Sequence, residues 1–162
     1  MVGIGYDIHR LVEGRDLFLG GVQIDFPKGL AGHSDGDVLI HAISDALLGA
    51  ANLGDIGRYF PPDDVRYKDL ASNDILKAVS KFLTNSGFVP KKIDAIVIAE
   101  APKISPHAEK MKKNMALILR IAEDAISIKG KTNEGIGAIG KGNAIAAWAI
   151  CEIERIYATS QG

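Results

Sequence analysis

The sequence predicts an α+β fold, a two-layer sandwich in which helices cover one face of a four-stranded mixed sheet. Three observations carry this. Strand-like and helix-like segments follow one another in the order β-β-α-α-β-α-β-α within 162 residues, too few for two domains with separate cores, so residues 1–162 are expected to form a single domain. The composition, 47% hydrophobic and 24% charged, is that of a globular chain able to fill one core. One strand, residues 91–100, is apolar on both faces, and helices on one side of the sheet leave half of it uncovered.

Residues 2–9 read as a strand, and residues 17–24 as a second with Gly20-Gly21 marking a bulge or bend. Ser34-x-x-Asp37 resembles a capping box opening a helix from Asp37 to about Asn52, with Val38, Ala42, Ala46 and Gly49 along its apolar stripe. Residues 54–57 and 60–64 are too polar and too broken by glycine and proline for either element, and read as loop. A helix covers 72–86 and stops at Gly87. The strand 91–100 points Ile93, Ala95 and Val97 one way, Ile96 and Ile98 the other. Ser105 as N-cap and Pro106 at the first helical position open a helix to about Glu123. Residues 125–131 form the last strand and 143–157 a closing helix with Cys151 in its buried stripe. Self-association is the economical way to cover the free face of the sheet.

A net charge of −1 offers neither nucleic acid nor an anionic membrane an electrostatic reason to bind. No apolar run approaches the roughly 20 residues of a membrane span, and the N-terminus lacks a secretory pattern. The single cysteine excludes an internal disulfide and a cysteine-based metal site. A cytoplasmic protein is expected.

The chemistry concentrates early. Asp7-x-His9 on a strand places both side chains on one face, and His41 lies on a helix able to close on them, with His33 nearby. One carboxylate and two imidazoles with a position left open are the ligands of a catalytic zinc. Asp37 and Asp45 flank His41 by one helical turn; one of them orients its ring, or they are only a cap and a solvated residue. The glycine run 135–142 mimics two nucleotide-binding motifs and fits neither. Too little chain follows Gly140 for a βαβ unit, and Gly142 stands where a phosphate loop needs Ser or Thr. It remains either a backbone phosphate loop with Lys141 attached or a plain strand-to-helix turn. Thr132 and Glu134 at a strand's end suit a phosphate and a hard cation. The loop 99–105 offers free backbone groups to a flat polar base.

Together these segments resemble the 2-C-methyl-D-erythritol 2,4-cyclodiphosphate synthase family over essentially the whole chain. The resemblance rests on Gly5-x-Asp7-x-His9, His33-Ser34-Asp35-Gly36-Asp37-x-x-x-His41, residues 45–50, Gly54-Asp55-Ile56-Gly57, Phe60-Pro61, Ala101-Pro102-Lys103 and Thr132-x-Glu134-x-x-Gly137. It implies zinc on Asp7, His9 and His41, and magnesium or manganese held by Glu134. It implies that His33 and Thr132 are catalytic, positioning phosphates, with Ser34, Lys131, Asn133, Ala138 and Lys141 also at the substrate. Asp55, Ile56 and Gly57, with Phe60, Pro61, Pro62, Asp63 and Asp64, would bind the erythritol. Ala99, Glu100, Ala101, Pro102, Lys103, Ile104 and Ser105 would hold cytosine. The family is a homotrimer with sites between subunits, acting on a cytidine diphosphate substrate. Pro62, Lys131, Asn133, Ala138 and Lys141 depart from the residues usual at those positions. Two rival readings are a zinc phosphodiesterase using metal-bound water and a non-catalytic trimeric module binding metal or prenyl phosphate.

Overall fold

The computed structural model describes residues 1–32, 34–61, 63–64, 67 and 70–156. The strands are β1 (Val2–Glu13), β2 (Leu17–Leu19), β3 (Val22–Ile24), β4 (Lys28–Leu30), β5 (Phe88–Ile98), β6 (Ile126–Lys131) and β7 (Ala144–Arg155). The helices are α1 (Val38–Ala50), α2 (Ile56–Tyr59), α3 (Ser72–Asn85), α4 (Ala108–Leu119) and the single turn α5 (Gly137–Gly140). The main sheet has five strands in the order β4-β1-β7-β5-β6, with only β5 and β6 parallel. The α+β class and the mixed sheet agree with the expectation; the strand count is corrected from four to five.

The correction has two sources: β4 and β7 join the main sheet, and the segment 17–24 forms a separate two-stranded sheet. Residues 144–155 are not a closing helix but the central strand β7, hydrogen-bonded to β1 on one side and β5 on the other. Alanine favours helix as an isolated residue, but tertiary context overrides so weak a preference. Here the small side chains are needed because α1 lies directly on this strand, and Ile145, Ala147, Ala149, Cys151 and Ile153 form its buried face. The period-two alternation from Trp148 to Glu154 was the signal against helix. Cys151 is buried as expected, but on a strand, and burial pushes its thiol pKa up.

Smaller differences follow from turns. The segment 17–24 is a hairpin of β2 and β3, because Gly20 and Gly21 both take positive φ (61° and 73°) and form its two-residue turn. Asp37, not Ser34, is the N-cap of α1, accepting from Leu39 N and Ile40 N at 3.1 and 3.0 Å. The same fully buried carboxylate accepts from Gly20 N and Gly21 N at 3.0 and 2.6 Å, pinning the hairpin to the helix start. The turn α2 lies inside a region expected to be loop. A 3-10 turn, Ser105–His107, precedes α4, and Ser105 makes no side-chain capping bond.

The helices cover one face of the sheet. On β1 and β7 the other face presents Val2, Ile4, Tyr6, Ile8, Trp148 and Ile150 to solvent, with the Tyr6 and Trp148 rings 4.6 Å apart. The covered face carries the site. There β1 offers Gly3 and Gly5, and α1 packs so closely that a Cβ on Gly5 would sit 1.9 Å from the Ala42 carbonyl oxygen.

Candidate metal and phosphate site

That close approach at Gly5 is what assembles the site, because Ala42 is the neighbour of His41. With α1 seated on the glycines, His41 Nδ1 lies 3.0 Å from Asp7 Oδ2, two residues along β1 from Gly5. His9 Nε2 lies 2.9 Å from the same oxygen. The three ligand atoms lie within 4.8 Å of one another, as a single cation requires. Burial works to raise the Asp7 pKa, but the hydrogen bonds and charges of His41 and His9 outweigh it and hold the carboxyl well below its usual range. Partial burial would lower the His9 pKa; the Asp7 carboxylate overcomes this and raises it.

Each histidine is also held from behind. His9 Nδ1 bonds the Ala31 carbonyl, and Ala31 N in turn donates to Arg10 O at 2.8 Å, laying the loop after β4 against β1. Arg15 clamps this loop, with Nη1 donating to Gly32 O at 2.9 Å and Nη2 to Ser34 O. His41 Nε2 faces the hydroxyls of Ser72 and Ser34, at 3.3 and 3.4 Å. Neither Asp37 nor Asp45 orients the ring: Asp37 is the cap described above, and Asp45 accepts from Ile56 N at 2.8 Å, fixing the start of α2.

Two cavities collect most of the predicted residues. The first, about 230 Å³, is lined by His9, Ser34, His41, Ile56, Gly57, Phe60 and Pro61, together with Gly32, Tyr67, Leu70 and Ile75. Asp55 stands beside it as the N-cap of α2, accepting from Arg58 N at 3.1 Å. The second, about 170 Å³, brings the loop residues Ala99, Glu100, Pro102, Lys103, Ile104 and Ser105 against Gly130, Lys131 and Thr132. Ala101 lies in the same loop, before a cis peptide bond to Pro102. The two cavities share no lining residue within one chain. Asp63, Asp64, Ala138 and Lys141 line neither, and His33 and Pro62 lie outside the described residues. The glycine run does not lead into a long helix: it makes α5 and passes directly into β7.

At the second cavity's edge Thr132 Oγ1 donates to Glu134 Oε1 at 2.8 Å. Glu100 Oε1 accepts from Asn133 N at 2.8 Å and Gly135 N at 3.3 Å, joining the two strand-end loops. Residues the sequence reading passed over are Arg15, Ser72, Leu70 and Ile75. Of these only Ser72 carried a local signal, a serine at a helix start, which reads as a cap and nothing more.

Comparison with known proteins identifies the family and the fold. A family model described as the YgbB family matches residues 1–154. The 2-C-methyl-D-erythritol 2,4-cyclodiphosphate synthase of Chloroherpeton thalassium is 55% identical over 155 residues, 96% of this chain and 99% of that one. A solved 2C-methyl-D-erythritol-2,4-cyclodiphosphate synthase in its CDP-bound form superposes with a TM-score of 0.87 at 34% identity, covering 95% of this chain and 100% of that chain. The bifunctional IspDF of Campylobacter jejuni gives a TM-score of 0.92 at 39% identity; the match takes in 96% of this chain and 42% of that longer protein.

Proposed function

Since this chain belongs to the YgbB family, we propose that its two cavities and its aspartate–histidine centre perform that family's cyclodiphosphate chemistry. The chain is an enzyme of the non-mevalonate isoprenoid pathway: it converts 4-diphosphocytidyl-2-C-methyl-D-erythritol 2-phosphate to 2-C-methyl-D-erythritol 2,4-cyclodiphosphate and releases CMP. The observation that carries this is the convergence of Asp7, His9 and His41, with the two histidines in the wall of a largely apolar cavity.

The donor set fits zinc, with one carboxylate, two imidazoles and a second polar partner behind each ring. When bound, the ion supplies positive charge and Lewis acidity to the phosphates. The rest falls to the chain. The 2-phosphate is already largely a dianion at neutral pH, so it needs no general base to attack the β-phosphorus. The obstacle is bringing an anion onto an anion, which positioning and charge compensation overcome. His33 and Thr132 orient the phosphates, Lys131 and Lys141 add charge, and the Glu134 carboxylate would hold magnesium or manganese, which would neutralise diphosphate charge. Ile56, Phe60, Leu70 and Ile75 exclude water around the erythritol, which favours ring closure over the hydrolysis of a phosphodiesterase. The backbone of 99–105 holds the cytosine.

Purified protein given that substrate, zinc and magnesium should yield CMP and the cyclic diphosphate in equal amounts, read by phosphorus NMR. Linear phosphate products would instead establish the hydrolytic reading, and no turnover at all the binding module. No phosphorylated enzyme should be trapped at any stage.

The chain acts as a cytoplasmic homotrimer, in which copies cover one another's free sheet face and bring the first cavity of one subunit to the second cavity of the next. Trp148→Glu places a charge in that apolar face, so light scattering should return three copies for the parent protein and one for the variant. CMP release by the variant should fall below about a tenth. A fully active monomer would refute the shared site.

A further inference from the structure

The reading of Asp7, His9 and His41 as metal ligands leaves open what sets the His41 ring, and the inference here rests on that reading. We propose that Ser72 is a positioning residue of the metal centre: with Asp35 it forms a hydrogen-bonded relay that fixes the tautomer of His41 with the Nδ1 lone pair toward the metal.

The relay follows from proton accounting. Ser72 is fully buried at the first turn of α3, with its Oγ in short contact with Asp35 Oδ1 and its backbone N donating to Asp35 Oδ2 at 3.0 Å. A carboxylate only accepts, so the single hydroxyl proton of Ser72 goes to Asp35. The Ser72 oxygen is then left with lone pairs alone, and His41 Nε2 stands 3.3 Å from it. Ser72 Oγ thus offers Nε2 an acceptor, which favours the tautomer with the hydrogen on Nε2. When the ion is bound, a neutral imidazole protonated at Nε2 gives it the Nδ1 lone pair; in the ion-free chain Nδ1 is instead hydrogen-bonded to Asp7 Oδ2 at 3.0 Å. The second hydroxyl near Nε2, Ser34 Oγ, is farther at 3.4 Å; it accepts from Gly36 N and keeps its own proton, so it does not set the tautomer as Ser72 does, whose proton is committed to Asp35.

The relay also joins three parts of the chain: α1 supplies His41, the loop before it supplies Asp35, and α3 supplies Ser72. Asp35 is anchored by accepting from Asp37 N at 3.2 Å. Partners behind a metal-bound histidine commonly change metal affinity 10- to 100-fold when removed.

Ser72→Ala isolates the effect, because it deletes the hydroxyl and keeps the backbone N–H that Asp35 caps. The experiment measures zinc affinity of the full chain by competition with a chromogenic chelator, beside thermal unfolding of the zinc-free protein. Ser72→Ala should weaken zinc about tenfold or more while the zinc-free melting temperature stays within a few degrees. Ser72→Cys, with a weak acceptor in the same place, should fall between Ser72→Ala and the parent protein and gives a second reading should the alanine variant fold poorly. Zinc affinity within twofold of the parent in both variants would overturn the relay. If instead the parent chain and His41→Ala bound zinc equally, the metal reading itself would fail, a separate outcome.

Discussion

His41→Ala protein should purify folded but with less than about a tenth of a zinc ion per chain, and should form CMP at least on the order of a thousandfold more slowly than the parent. The size of the effect follows from the geometry. The imidazole is nearly buried between Asp7 and Ser72, so no neighbouring side chain can take its place as a third ligand. Two remaining donors on one strand cannot hold a catalytic zinc against water. Elemental analysis of the purified variant and a CMP assay check the two halves separately. Full zinc content with lost activity would show that His41 serves the substrate, and full activity would dissociate the centre from the reaction.

Gly5→Val should be the most damaging single change to the fold. The added Cβ would lie 1.9 Å from the Ala42 carbonyl oxygen and 2.8 Å from Ala46 N, and both obstacles are helix backbone that no rotamer change can clear. The helix α1 would have to lift from β1, opening the core around Ile43 and Leu47 and drawing His41 away from Asp7. A destabilisation of about 4 kcal/mol or more is expected, at the upper end for overpacking because the clash is with main chain. Urea unfolding of the variant measures it, and zinc binding should weaken in parallel. A variant within about 1 kcal/mol of the parent would mean that α1 is free to shift, and that the glycine contact does not fix the metal centre.

The predictions rest on residues that were legible, Asp7, His9 and His41, and on a contact that was not, Gly5 against Ala42. Asp7 and His9 were visible because a two-residue spacing on a strand needs no partner to place side chains together, and His41 because it lies early in a periodic helix. The reading of strands 2–9 and 125–131 and of helices 37–52 and 72–86 held to within a few residues for the same reason: hydrophobic periodicity and glycine stops are local properties. The doubly apolar character of 91–100 likewise marked a strand, but its outer side chains Ile96 and Ile98 are half-buried, and the open apolar face lies on β1 and β7, at residues such as Ile4, Trp148 and Ile150.

What the sequence alone determined was therefore the class of fold, the aspartate–histidine cluster and the family resemblance, all carried by short-range spacing and by residue chemistry. The tertiary structure decided the rest. It made 144–155 a central strand, since only the packing of α1 against it requires small side chains there, and alanine by itself points to helix. It assigned Asp37 to capping α1 and holding the Gly20-Gly21 turn, and Asp45 to the Ile56 N–H at the start of α2, rather than either to His41. And it set Ser72 behind His41, a contact across 31 residues that no periodicity encodes. Contacts of that kind arise when packing brings separate elements together, and their chemistry exists only once the chain has closed on itself.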